Sequence, residues 1–229
     1  MYSMLNDEIK RLYIEPSTLC NLDCSMCMRK TWKNEQMGHM DFSLYERLID
    51  EIRDIDSIDT VFFGGIGEPM FHPRFEDMVE LAANAGKRVE CVTNATKLDV
   101  ETAKRLGAKG MRMVWTSVDD LHETSYAERN GDYNSVRRNI LNLRDYRETV
   151  VGSRLGIGLT FVAMKDNIGD LPALMDFAEK AVVNAVRITN VLPYSQEMVE
   201  QALYMDILNY NRFSQRDQAH SIDGIPSII

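Results

Sequence analysis

The stretch Cys20-Asn21-Leu22-Asp23-Cys24-Ser25-Met26-Cys27 holds three cysteines in a C-x3-C-x2-C spacing, just after the short apolar run Leu12-Tyr13-Ile14. A loop of this length can wrap three thiolates around one face of a cubane iron–sulfur cluster, which is normally held by four cysteine thiolates. Because only three cysteines lie close together, one iron would be left for an outside ligand. An open metal position is typical of a site that carries out chemistry.

This octet resembles the signature of the radical S-adenosylmethionine (SAM) enzymes. In that family SAM chelates the open iron of a [4Fe–4S] cluster through its amino and carboxylate groups. An electron from the cluster then splits SAM into methionine and a 5′-deoxyadenosyl radical. The resemblance therefore implies two cofactors, SAM and a [4Fe–4S] cluster held by Cys20, Cys24 and Cys27. It also places Met26 near the adenine, where the family has an aromatic or bulky apolar residue.

A structural zinc site is the alternative interpretation of the three cysteines. Zinc needs a fourth Cys or His ligand at a workable spacing. The remaining cysteine is Cys91, far along the chain, and the nearest histidine is His39, in a polar stretch. This pattern disfavours zinc.

Length and composition limit the class of protein. The 229 residues, 45% of them hydrophobic, suffice for one large α/β domain or two small ones. The net charge of -9 and the lack of a Lys/Arg-rich run argue against nucleic-acid binding. We find no apolar run long enough for a membrane span and no signal peptide, and the clustered cysteines fit a reducing, cytoplasmic location.

Strand-like and helix-like segments alternate along the chain, which predicts a parallel sheet with outer helices. An open sheet and a partial barrel are not separable by this pattern. The family resemblance, which covers about residues 12–194, implies a six-unit partial (β/α) barrel with a lateral gap between its first and sixth strands. We expect a core domain over residues 1–208, with helix from Ser195 to about Leu208, and a tail over 209–229. The predicted strands are Leu12–Glu15, Thr60–Phe63, Arg88–Thr93, Met111–Val118, Arg154–Ala163 and Ala185–Val191.

Unusual segments follow the predicted strands at their carboxyl ends, where parallel α/β folds bind ligands. Gly64-Gly65-Ile66-Gly67-Glu68-Pro69 resembles the family's glycine–glycine–glutamate motif, which receives the amino group of SAM. Ile66 stands where the family has the first glycine. Without the resemblance, the segment is also explained as a glycine turn between a strand and a helix.

Further resemblances fall at later strand ends. Asn94-Ala95 resembles a Thr-Asn-Gly step with alanine for glycine, and Ser117-Val118-Asp119 resembles a strand-four motif whose serine touches SAM. Arg129 matches an arginine that pairs with the SAM carboxylate in peptide-modifying members; the alternative is a solvated surface arginine. The SAM contacts that the resemblance implies are Met26, Gly65, Gly67, Glu68, Asn94, Ser117, Asp119, Arg129, Asn190 and Leu192.

Two segments, Phe161–Met164 and Thr189–Met198, resemble the SPASM-related maturases linked to tungsten-cofactor oxidoreductases. This implies an enzyme that matures a peptide, protein or cofactor and takes electrons from a reductant such as ferredoxin or flavodoxin. One alternative is a radical SAM RNA methyltransferase, which needs additional reactive cysteines and a surface for RNA; Cys91 alone and the charge of -9 argue against it. The other is a non-catalytic iron–sulfur protein, which would not need a SAM pocket.

Overall fold

The computed structural model describes residues 9–150 and 153–204. Its centre is a six-stranded sheet in the order β1-β2-β3-β4-β5-β6, with every neighbouring pair parallel. The sheet curves into a half-barrel, so the predicted six-unit fold is confirmed. Strands β1 and β6 are its two edges, which leaves the expected opening between them. The strands are β1 Arg11–Ile14, β2 Thr60–Phe63, β3 Arg88–Thr93, β4 Met111–Ser117, β5 Gly156–Ala163 and β6 Ala185–Asn190.

Helices follow the strands and cover one face of the sheet. Their first turns are fixed by side-chain caps such as Asp41, which accepts a hydrogen bond from the Leu44 amide, and Asp99, which accepts one from Thr102. The helices are α1 Phe42–Arg53, α2 Phe75–Asn84, α3 Val100–Ala108, α4 Glu123–Glu128, α5 Tyr133–Thr149, α6 Leu171–Lys180 and α7 Gln196–Gln201. Short 3-10 turns occur at Met28–Thr31, Pro69–Phe71 and Ile168–Asp170.

Two helices differ from the sequence-based expectation. The sequence carries no signal for the six-residue helix α4, because this helix buries only Tyr126 and no side-chain cap marks its start. Helix α7 ends at Gln201, earlier than predicted. Residues 205–208 of the predicted helix and the predicted tail, 209–229, lie outside the described residues.

Alternate residues of each strand face opposite sides of the sheet. Those on the convex side pack against the helices and form the main core; Phe63, Cys91 and Ile157 are completely buried there. The other side, which we call the inner face, carries a separate cluster of Phe62, Met113 and Trp115.

Glycine in β5 makes room on the inner face. A Cβ at Gly158 would lie 2.3 Å from the Trp115 ring, so this glycine leaves the space that the Trp115 side chain fills. Among the helices of the described residues, none has the length and apolar composition that crossing a membrane requires.

Candidate functional site

The loop after β1 carries the three clustered cysteines at the carboxyl edge of the sheet. Cys20, Cys24 and Cys27 are half-buried and free of disulfides. Within the loop the Leu22 amide lies 3.4 Å from the Cys20 sulfur, and the Cys27 amide donates to the Cys24 carbonyl at 3.1 Å. Local backbone geometry therefore gives the loop its turn, while its position depends on the neighbouring strands.

Two later strand ends and the segment after α4 hold this loop in place. The Glu68 amide after β2 donates to the Leu19 carbonyl at 2.8 Å. The Asn94 side-chain amide after β3 points at the Cys20 sulfur from 3.5 Å. The Arg129 carbonyl accepts a hydrogen bond from the Asp23 amide at 2.9 Å. Segments predicted separately from the sequence thus meet around the cysteine loop.

The glycine-rich loop after β2 packs directly on the cysteine loop. A Cβ at Gly67 would lie 2.0 Å from the Ser17 carbonyl oxygen, so only glycine allows this approach of two backbones. Glu15 fixes the loop from the other side, because one of its carboxylate oxygens accepts hydrogen bonds from the Ile66 and Gly67 amides at 2.5 and 3.1 Å. The sequence reasoning missed Glu15; its position at the carboxyl end of the first strand was the available signal.

Glu68 is buried and already has three donors. Its carboxylate accepts hydrogen bonds from the Met70 amide, the Thr93 hydroxyl and the Asn94 amide at 3.1, 2.8 and 2.7 Å. Burial raises the pKa of Glu68, and these hydrogen bonds oppose that rise. A carboxylate has about four acceptor positions, so room remains for about one further donor. Glu68 therefore couples the ends of β2 and β3.

Asp119 connects the ends of β4 and β5. Its carboxylate accepts hydrogen bonds from the Ser117 hydroxyl at 3.0 Å and the Val162 amide at 2.8 Å. The Asn167 side chain completes the connection by donating to the carbonyls of Asp119 and Val162 at 2.8 and 2.9 Å. Burial raises the pKa of Asp119. Both oxygens of the Asp119 carboxylate thus accept hydrogen bonds from the protein itself. Ser117 is more exposed to solvent than Asp119.

Arg129, at the end of α4, is not a solvated surface residue. Only 11% of its side chain is exposed, its guanidinium stacks 4.8 Å from the Tyr126 ring, and its distance to Asp120 is a loose 3.9 Å. Burial raises the pKa of the Cys24 thiol to about 11, and the positive charge of Arg129 opposes this rise. The structure therefore places a cation beside the cysteine loop.

Met26 reaches the far end of the sheet. It packs against a small apolar cluster that includes Met164, Val191 and Met198. Asn190 and Leu192, at the end of β6, remain open to solvent, with Leu192 59% exposed. Through this cluster the cysteine loop packs near the end of β6, while Asn190 and Leu192 themselves are exposed.

A cleft of about 670 Å³ lies between the cysteine loop, the segments after β4 and β5, and helix α7, lined by Asp23, Ser25, Arg129, Met164 and Met198 among others. The donor set beside it fits an iron–sulfur cluster, since three free thiols share one short loop. Arg29 adds a second indication. Its Nη2 donates to the Leu22 carbonyl at 3.2 Å, but its buried Nη1 has no partner among the described residues. A buried donor of this kind beside the loop suits a negatively charged group.

Comparison with known proteins agrees with this arrangement. The model of the radical SAM superfamily matches residues 14–178. A "Tungsten-containing aldehyde ferredoxin oxidoreductase cofactor-modifying protein" of Pyrococcus furiosus is 34% identical over 198 residues, covering 86% of this chain and 55% of the relative. An Fe-coproporphyrin III synthase of Methanosarcina barkeri is 28% identical over 163 residues, covering 70% of this chain and 39% of that protein.

Solved structures share the fold at low sequence identity. SuiB of Streptococcus suis bound to S-adenosylmethionine superimposes with a TM-score of 0.69 at 16% identity, over 92% of this chain and 49% of SuiB. The same protein bound to its precursor peptide SuiA gives a TM-score of 0.67. The chain spans about half the length of the curated relatives it matches. From the family match over residues 14–178 and the 34% identity to the Pyrococcus protein, this chain belongs to the radical SAM superfamily.

Proposed function

We propose that this chain holds a [4Fe–4S] cluster on Cys20, Cys24 and Cys27, binds SAM in the adjoining cleft, and acts in the maturation of a cofactor, peptide or protein. The observation that carries the proposal is the loop of three free thiols joined by hydrogen bonds to the ends of β2 and β3 and to the segment after α4. When bound, the cluster and SAM supply reductive cleavage of SAM, which yields a radical able to take a hydrogen atom from a substrate.

The surrounding side chains would bind and orient SAM. Arg129 offers a half-buried planar cation, which suits a carboxylate because two parallel hydrogen bonds can form. Glu68 offers its remaining acceptor position to an ammonium group. Asn94 donates toward the sulfur of Cys20 and so orients a ligand thiolate. The full proposed set of SAM contacts is Met26, Gly65, Gly67, Glu68, Asn94, Ser117, Asp119, Arg129, Asn190 and Leu192.

We assign these residues different parts within that set. Asn94 presents its side-chain amide to Cys20 and Asn21, and the Ser117 hydroxyl donates to Asp119, which lines the cleft. Asp119 acts by holding Ser117 and the end of β5. We assign residues 1–208 to the core domain and 209–229 to a tail. We also propose a cytoplasmic location and a ferredoxin or flavodoxin as the reductant.

Of the three substrate classes, we favour a cofactor over a peptide or a protein. The Pyrococcus relative, at 34% identity, is named for modifying the cofactor of an aldehyde ferredoxin oxidoreductase. A SAM-dependent transfer of methyl groups through a cysteine is disfavoured, because Cys91 is completely buried in the core and burial raises the pKa of its thiol well above the usual range.

Anaerobic reconstitution with iron and sulfide tests the proposal. The parent chain should bind about four irons, the content of a cubane. With dithionite it should also convert SAM to 5′-deoxyadenosine. Cys20→Ala, Cys24→Ala and Cys27→Ala should each lose the cluster, while Cys91→Ala, the matched control, should retain it. An intact cluster spectrum in a variant lacking all three loop cysteines would refute the assignment.

A further inference from the structure

Below the carboxyl edge, the inner face of the half-barrel carries charged side chains as well as aromatic ones. Leu12 and Ile14 of β1, and Val89 and Cys91 of β3, belong to the core under the helices. The residues that alternate with them, Arg11 in β1 and Glu90 in β3, therefore face the inner side. A charged group at such a position costs free energy unless it is paired and hydrogen-bonded.

The carboxylate of Glu90 has three partners. It accepts a hydrogen bond from Arg88 Nε at 2.7 Å and one from the Trp115 indole at 3.2 Å, and it forms an ion pair with Arg11 at 3.3 Å. The Glu90 side chain is only 4% exposed. Two arginines, Arg11 and Arg88, thus compensate this one acid, and among the described residues no third cation pairs with it.

Arg187 is another cation on the inner face. It lies on β6 in register with Thr160, which is in register with Ser117, so Arg187 belongs to the same row of the sheet as the serine beside the cleft. Its guanidinium carbon lies 4.1 Å from the centre of the Trp115 ring and 6.0 Å from that of Phe62. Within residues 9–150 and 153–204 it has neither a hydrogen bond nor an ion pair with a carboxylate.

A guanidinium that stacks on an indole keeps its N–H groups at the edge, where they can bind an oxyanion through two parallel hydrogen bonds. Arg187 is half-buried, so water weakens such a contact less than on an open surface. The Trp115 ring is itself fixed by Glu90 and by the space over Gly158, which holds Arg187 in a defined position.

We infer that Arg187, supported by Trp115, binds a carboxylate or phosphate group of the substrate inside the half-barrel. The inference rests on the proposed function in one respect, that the substrate occupies the space next to the SAM cleft. It specifies that the substrate is anionic and that its anionic end lies against β6.

Anion titration of the 229-residue chain without cluster or SAM tests this inference. The chain has two tryptophans, so a Trp32→Phe background leaves Trp115 as the fluorescent reporter beside Arg187. Pyrophosphate and citrate serve as the phosphate and carboxylate probes, each added at constant ionic strength. Saturable changes in Trp115 emission give the two dissociation constants, and the tighter probe identifies the anion class.

In that background, Arg187→Gln should weaken binding of the preferred probe about tenfold or more, since a hydrogen bond to a charged group is lost. Arg187→Lys should weaken it severalfold, because the charge stays but the planar fork is removed. The matched control is Arg53→Gln, which removes the same charge from the exposed end of α1.

Unchanged affinity in both Arg187 variants, or an equal loss in Arg53→Gln, would overturn the inference. Arg187→Lys keeps the test valid if Arg187→Gln does not fold, as judged by its thermal unfolding. Because the titration uses neither cluster nor SAM, a failure here leaves the proposed function standing. Conversely, failure to assemble a cluster leaves an Arg187-dependent anion response intact.

Discussion

Replacing Gly67 with alanine would press a methyl group into the backbone of the cysteine loop. The added Cβ would lie 2.0 Å from the Ser17 carbonyl oxygen and 2.6 Å from the Thr18 carbonyl carbon. Side-chain carbons essentially never approach closer than 3.0 Å, so the two segments would have to separate by about 1 Å. Neither neighbour is the end of a flexible side chain, so the backbone itself must move.

That movement would break two hydrogen bonds. One joins the Gly67 amide to the Glu15 carboxylate at 3.1 Å, and the other joins the Glu68 amide to the Leu19 carbonyl at 2.8 Å. A bond to a charged acceptor is worth about 1.5–3 kcal/mol and a bond between neutral groups about 0.5–1.5 kcal/mol. We therefore expect Gly67→Ala to lower the free energy of unfolding by about 2–4 kcal/mol.

Urea denaturation of the cluster-free chain measures this quantity. Gly38→Ala is the matched control, because no atom lies within 4 Å of the added Cβ although Gly38 also contacts the segment that leads into the cysteine loop, through Thr18. It should leave stability unchanged or raise it by up to about 1 kcal/mol. If Gly67→Ala and Gly38→Ala unfold within about 0.5 kcal/mol of each other, the two loops are not in the tight contact described here.

Three further predictions concern separate parts of the chain. Val182→Gly should raise the free energy of unfolding by about 1 kcal/mol in urea, because the exposed Val182 has a left-handed φ of 50° after α6; no gain would mean that this turn relaxes in solution. Burial lowers the pKa of His72 in the folded chain, because it disfavours the charged imidazolium. The free energy of unfolding should therefore include a contribution from neutral His72 above about pH 6.5, and this contribution should be lost as the pH falls from this value to the folded-state pKa. A His72→Gln variant whose stability kept the same slope between about pH 7 and 5 would exclude His72 as the source. Asn94→Ala should lower iron retention against a chelator about 10–100-fold, as loss of a group that orients a metal ligand does, and unchanged retention would show that its contact with Cys20 is unimportant.

Much of the fold follows from local sequence patterns. A strand buried on both sides of a parallel sheet has an apolar sequence, and β2 matches its predicted bounds, Thr60–Phe63. The strand β3 also matches its predicted bounds, Arg88–Thr93, although it includes the charged residues Arg88 and Glu90. The spacing of the three cysteines likewise indicates a cluster without any knowledge of the strands. Local patterns were insufficient for α4, whose six residues are too few to show a helical period.

The sequence by itself therefore indicated the six strands, to within one or two residues at their ends, and the three thiols that share one loop. Tertiary structure alone decided that the Glu15 carboxylate accepts a hydrogen bond from the Ile66 amide, 51 residues away, and that the Asp119 carboxylate accepts one from the Val162 amide. It also decided that Arg187 stacks on Trp115. The physical reason is that periodicity and turn residues are properties of neighbours in the chain. Contacts between distant residues depend instead on strand register and on which side chain fills the space that another leaves.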